Sequence, residues 1–180
     1  MTNPYRLQSR RHIYESRNFR VREDLVVGPA EDSFTFSVIE MRAGSSVLAL
    51  DGDGQVYLVR EYKYAVARPS TEVVSGGIDE GETPLDAARR ELREEVGIAA
   101  REWIDLGQVD PFTTQVASPN YLFLARELEH VGREPDRNEV LEIVTVPFET
   151  ALRMVMNGEI THGASCAVIL KTNEWLRRLG

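Results

Sequence analysis

Cysteine is nearly absent from the chain. Cys166 is the only one in 180 residues, so no disulfide can form within the chain, and a reducing, cytoplasmic setting is expected. Because Cys166 lies in an apolar helical stretch, it is expected as a small buried hydrophobe rather than a nucleophile. An excess of basic charge is missing too. The 21 Lys and Arg face 29 Asp and Glu, for a formal net charge of −8. That excludes a general nucleic-acid binder, since a phosphate backbone needs a basic surface. A small anionic nucleotide stays compatible, because bound metal ions supply positive charge locally. No apolar run is long enough to span a bilayer, and Met1–Arg11 carries no signal-peptide pattern, so no membrane partner is expected. Repeats and low-complexity tracts are also lacking. These absences leave an ordinary globular chain, long enough to bury a core as one domain with a small terminal subdomain.

What is present begins with strands. Arg11–Val27 alternates polar and apolar residues through Ile13, Phe19, Val21, Leu25 and Val26, and Ser33–Met41 does so again. Val47–Leu50 and Val56–Tyr62 flank Asp51-Gly52-Asp53-Gly54, a hairpin signal; the later ligands of a calcium loop are missing. Glu72–Ser75, Trp103–Val109, Tyr121–Leu128 and Val140–Val146 are predicted strands, with loops at Asp110–Asn120 and His130–Asn138. Helices are predicted from Pro147 through Met156 and from about Gly163 to Leu179. The order gives an α/β (α+β) fold with a mixed sheet between helices.

The segment Gly76–Ile98 carries the chemistry. Thr83 is positioned to cap a helix that has Pro84 just inside its start and Gly97 just past its end. Leu85, Ala88, Leu92 and Val96 form one apolar stripe. Glu91, Glu94 and Glu95 stand at i, i+3 and i+4, so at about 100° per residue the three carboxylates span an arc of roughly 100°. Such like charges repel by a few tenths of a kcal/mol per pair in water. A hard divalent cation reverses that sign, because Mg²⁺ takes oxygen ligands and keeps waters for substrate phosphates to replace. Arg90 flanks the acidic face, where it can orient carboxylates, and Gly76, Gly77 and Gly81 permit a tight loop whose carbonyls approach an ion.

The same segment fits the Nudix box, G-x5-E-x7-R-E-U-x-E-E-x-G-U with U aliphatic. Gly76, Glu82, Arg90, Glu91, Leu92, Glu94, Glu95, Gly97 and Ile98 fill its fixed positions. The chain therefore resembles the Nudix hydrolases, and beyond the box it resembles their ADP-ribose pyrophosphatase and nucleoside-diphosphate-sugar hydrolase branch. The resemblance implies an α/β/α sandwich, here residues 44–180, preceded by a small N-terminal antiparallel sheet, residues 1–43. In this branch that sheet commonly exchanges across a homodimer. Val59-Arg60-Glu61-Tyr62-Lys63 is similar to the branch's strand ending in a basic phosphate contact, with Lys63 where relatives carry Arg. Glu72-Val73-Val74-Ser75-Gly76 is similar to E-x-P-A-G, with Val74 in place of proline.

What the resemblance implies can be stated residue by residue. Glu91 and Glu95 are metal ligands, with Glu94 sharing an ion or a bridging water and the Ser75 backbone carbonyl completing one shell. Glu82 and Arg90 orient those ligands. Lys63 and Glu72 contact substrate, the latter through a sugar hydroxyl. The catalytic base is Glu139, with Glu142 as second choice. The cofactor is Mg²⁺, or Mn²⁺. The implied reaction is hydrolysis of the pyrophosphate bond of ADP-ribose or a related nucleoside diphosphate sugar, yielding a nucleoside monophosphate and a sugar phosphate. GDP-mannose or another sugar nucleotide is the rival substrate. A non-catalytic Nudix-like sensor is the rival class, but such modules typically lose box glutamates that are all present here.

Overall fold

The computed structural model describes residues 1–133 and 140–179. In chain order its elements are β1 (Arg6–Glu15), β2 (Phe19–Val27), β3 (Ser33–Met41), β4 (Gly44–Leu50), β5 (Gln55–Lys63), β6 (Arg68–Gly77), α1 (Pro84–Val96), β7 (Ile98–Val109), β8 (Val116–Ala117), β9 (Asn120–His130), β10 (Leu141–Pro147), α2 (Phe148–Met156) and α3 (Gly163–Arg177). They fall into two compact units, one of residues 1–43 with 110–119, the other of residues 44–109 with 120–180.

The first unit is a four-stranded sheet in the order β1-β2-β3-β8, antiparallel except for the short parallel pairing of β8 with β3. The alternation at Arg11–Val27, read as continuous strand, is broken into two strands of a hairpin. Its turn contains neither glycine nor proline. Instead Ser16 makes the turn: its amide donates to the Phe19 carbonyl at 3.0 Å, and its Oγ accepts from Phe19 N at 3.2 Å. A polar turn made by one hydroxyl leaves the period-2 pattern looking unbroken. Tyr5, Phe34 and Phe36 pack edge to face on this sheet.

The second unit holds a six-stranded mixed sheet in the order β10-β5-β6-β4-β9-β7, with β4 and β9 parallel. Successive residues of a strand point to opposite faces, and the core divides accordingly. Leu48, Leu50, Val73, Leu122 and Leu124 face one layer, packed with Phe148 and Ala151 of α2 and with Val168 and Ile169 of α3. Val47, Ala49, Val74, Phe123 and Ala125 face the other, packed with Ala88, Leu92 and Val96 of α1. Both faces of β4 are therefore covered, which is why Val47–Leu50 reads as a continuous apolar run. The result is an α/β/α sandwich. Cys166 is half-buried against the first layer, where its thiol donates to the Ile160 carbonyl at 3.3 Å and burial pushes it up from 9.0. Among the described residues, no helix is long and apolar enough to cross a membrane.

Candidate active site

Helix α1 begins and ends where its caps dictate. Thr83 Oγ1 accepts from the Asp86 amide at 3.2 Å, Pro84 opens the first turn, and Gly97 closes the helix at φ 68°, its amide donating to the Arg93 carbonyl at 3.0 Å. The apolar stripe of Ala88, Leu92 and Val96 fixes the helix's rotation over the sheet. Leu92 and Ala88 turn fully into the core, which brings Glu91 and Glu95 down beside them at 9 % and 7 % exposure. The Glu94 side chain stays 38 % exposed.

Arg90 gathers the acidic groups. Its Nε and Nη2 donate to Glu82 Oε1 and Oε2 at 3.0 Å each, and Nη2 also donates to the Gly77 carbonyl at 3.0 Å. Its Nη1 donates to Glu91 Oε1 at 2.6 Å and Glu94 Oε2 at 3.1 Å. The Glu82 hydrogen bonds are the largest reason that Arg90 holds its proton more firmly than a free guanidinium; burial opposes this, and Glu91 adds to it. Glu82 is held in turn by the Asp79 amide, which donates to its Oε2 at 3.0 Å. One guanidinium thus ties the loop before the helix, the end of β6 and two helix carboxylates together.

Glu91 lies against Gly76 of β6. A Cβ at that glycine would stand 1.9 Å from Glu91 Oε1, so only glycine permits the approach. Ser75, next to Gly76, is thereby brought to the same end of β6 as the Glu91 carboxylate. Oxygen donors alone, two of them buried carboxylates against a bare backbone, suit a hard divalent cation. As the side chains stand, no three His, Cys, Asp or Glu groups among the described residues are gathered into a coordination cage. Arg90 Nη1 bridges Glu91 and Glu94 through one oxygen of each, Oε1 of Glu91 and Oε2 of Glu94, and a carboxylate has a second oxygen to offer an ion.

Lys63 and Glu72 extend the site across β5 and β6. Burial alone would lower the Lys63 pKa from 10.5, but the 2.6 Å hydrogen bond to Glu61 and the charges of Glu72, Glu61 and Glu95 outweigh it and raise it. Lys63 is therefore a firmly charged cation in the field of both Glu72 and Glu95. Glu72 is 7 % exposed, and its Oε2 lies 3.3 Å from His162 Nδ1. Sequence reasoning missed His162 and Ser165, which belong to the start of α3 and carry no local signal. Glu139 lies outside the described residues. Glu142 is exposed on β10, in register with Arg60 of β5.

The fold and the carboxylate helix define the class. Residues 40–163 match the NUDIX domain, and the chain belongs to that family. Among its relatives, the chain is 32 % identical to an ADP-ribose pyrophosphatase of Mycobacterium tuberculosis, over 84 % of this chain and 75 % of that one. It is 30 % identical to an ADP-ribose pyrophosphatase of Bacillus subtilis over 68 % of each chain. It is also 27 % identical to the ADP compounds hydrolase NudE of Escherichia coli, over 71 % of this chain and 69 % of that one. A crystal structure of an ADP compounds hydrolase superposes with a TM-score of 0.87, covering 100 % of this chain and 98 % of that one. At 22 % identity that likeness shows the fold.

Proposed function

We propose that this chain is a pyrophosphohydrolase that splits ADP-ribose, or a closely related nucleoside diphosphate sugar, into a nucleoside monophosphate and a sugar phosphate. The observation that carries the reading is the acidic face of α1: Glu91 and Glu94 are held by Arg90, itself held by Glu82, Glu91 lies against Gly76, and Glu95 is buried one turn on. The named relatives act on ADP-ribose or ADP compounds, which favours an adenosine diphosphate substrate over GDP-mannose. Non-catalytic Nudix-like sensors typically lose box glutamates, and all of them are present here.

Glu91 and Glu95, with Glu94 and the Ser75 carbonyl, would hold Mg²⁺, and Mn²⁺ would be accepted by the same oxygen donors. When bound, the ion neutralises the diphosphate and lowers the pKa of a coordinated water. Arg90 and Glu82 keep the ligating carboxylates from splaying apart. Lys63 attracts the diphosphate as a point charge. Glu72 accepts a hydrogen bond from a sugar hydroxyl. Glu139 takes the proton from the attacking water as its oxygen bonds to phosphorus and the bridging P–O bond breaks.

The working protein is read as a cytoplasmic homodimer with exchanged N-terminal sheets, residues 1–43 forming the subdomain and 44–180 the hydrolase domain. Exposed apolar side chains on β1–β3, among them Leu7, Ile13, Tyr14 and Phe19, support the dimer. The test is a substrate panel with Mg²⁺ and chromatographic separation of products. AMP with ribose 5-phosphate from ADP-ribose is the expected result. GMP from GDP-mannose in large excess would shift the substrate, and no turnover of any diphosphate would favour the sensor.

A further inference from the structure

The segment that opens α3 is fastened to β6 at three points. Arg68 Nη2 donates to Thr161 Oγ1 at 2.8 Å, and the Val73 amide donates to Ser165 Oγ at 3.0 Å. His162 Nδ1 lies 3.3 Å from Glu72 Oε2 and 2.9 Å from Ser165 Oγ. The position of Val73 explains the need for Ser165. β6 pairs with β5 up to Val73 and with β4 from Val74 onward, so the strand changes partners there and its amide is met by a side chain. Ser165 is fully buried at this junction. By filling it, Ser165 also sets the imidazole beside the Glu72 carboxylate.

Which ring nitrogen carries the proton decides how the imidazole meets the carboxylate. A bare Nδ1 lone pair facing a carboxylate oxygen would repel it, whereas an Nδ1–H has Ser165 Oγ at 2.9 Å to bond and Glu72 Oε2 at 3.3 Å to attract it. A nearly buried carboxylate also needs a donor to offset lost hydration. Because a carboxylate is planar, fixing Oε2 fixes Oε1 as well.

We infer that His162 is a positioning residue for the substrate contact at Glu72: its Nδ1–H locks one carboxylate oxygen so that the other is pre-oriented for a hydroxyl of the sugar moiety. This rests on the reading of Glu72 as a substrate contact. The groups facing the imidazole are Glu72 from β6, Lys63 from β5 and Ser165 from its own helix. Burial, with help from Lys63, holds His162 below its ordinary value of 6.5 against the pull of Glu72, which keeps the ring neutral and the tautomer meaningful.

The experiment joins steady-state kinetics on ADP-ribose, in the Mg²⁺-loaded protein, with nitrogen-15 NMR of the His162 ring. His162→Ala is expected to raise KM about tenfold, the scale of one lost hydrogen bond to a charged group, with kcat nearly unchanged. His162→Asn, whose amide NH₂ reaches the Nδ1 position, should restore most of that loss. His162→Ala combined with Glu72→Gln should be no worse than Glu72→Gln alone. The ring should be protonated at Nδ1, and its pKa should fall further in Glu72→Gln. Additive kinetic effects, an Nε2–H ring, or a pKa indifferent to Glu72 would overturn the inference. If Glu72→Gln leaves KM unchanged while the NMR coupling persists, the substrate role of Glu72 is what fails, and the positioning role falls with it.

Discussion

Arg90 and Glu82 meet fork to fork, Nε on Oε1 and Nη2 on Oε2, both at 3.0 Å. The parallel pair fixes the guanidinium plane, and that plane aims the remaining nitrogen, Nη1, at Glu91 and Glu94. A lysine offers a point charge and no plane. Arg90→Lys is therefore expected to fold, yet lose about 10–100-fold in metal affinity or turnover, the range for groups that orient metal ligands. Titrating Mg²⁺ against hydrolysis rate measures this; a variant with wild-type metal dependence would remove Arg90 from the site.

Gly76 tests the same geometry from the sheet side. A methyl group there would overlap Glu91 Oε1 and Cδ, at 1.9 and 2.1 Å. Those atoms end a flexible side chain, so the cheapest relief is for Glu91 to swing away. Gly76→Ala should still fold, with a melting temperature lowered by about 10 degrees at most, since losing the Glu91–Arg90 bond costs about 1.5–3 kcal/mol, while turnover falls at least about tenfold. Crystals of the variant should show a displaced Glu91. Unchanged activity would mean that Glu91's position against β6 has no catalytic value.

Helix α1 was legible because its caps, stripe and acidic face are local and each has a fixed period. Thr83, Pro84 and Gly97 mark its limits in the sequence and in space alike. The hairpin at Asp51–Gly54 was legible for the same reason, with Asp51 Oδ1 accepting from the Asp53 and Gln55 amides at 3.0 and 2.8 Å. The turn at Ser16–Asn18 was not, because a serine hydroxyl does there what glycine usually signals. Nor was the junction of β6 with α3. Val73 and Ser165 are 92 residues apart, and no periodicity in either segment points to the other. That Arg90 would orient carboxylates could be read from its spacing; that it bridges Glu91 and Glu94 itself needed the fold.

Metal should stabilise this protein through the α1 carboxylates. A ligand at about a hundred times its Kd adds about 2.7 kcal/mol, several degrees in melting temperature for a chain of this size. Wild type should show that shift with Mg²⁺, whereas Glu91→Gln and Glu95→Gln should fold but show little shift and lose nearly all hydrolysis. Thermal melts with Mg²⁺ and with EDTA decide it. Full shifts in both variants would place the ion elsewhere.

Glu142 and Glu139 separate by kinetics. Glu142 is exposed on β10, opposite Arg60, a position that suits a solvated strand charge. Glu142→Gln should leave kcat within about twofold, while Glu139→Gln should cut it at least about a hundredfold without altering metal affinity, the scale of a lost general base. Reversal of the two effects would move the base to Glu142.

Acid should weaken the protein in two separable windows. His162 is held below 6.5 in the fold, chiefly by burial, so the unfolded chain takes up a proton first as pH drops. The native state then loses stability as pH falls from 6.5 toward the folded value, and regains it on the way back. Glu40 behaves alike lower down: its hydrogen bond from Arg22 keeps it below 4.5 despite some burial, so its contribution is present above 4.5 and lost beneath. Denaturant melts from pH 8 to pH 5 should therefore show a loss in wild type that His162→Gln flattens and Glu40→Gln leaves intact. A wild-type curve level across that interval would mean that His162 titrates alike in the folded and unfolded chain, and that the burial of its ring has no energetic consequence.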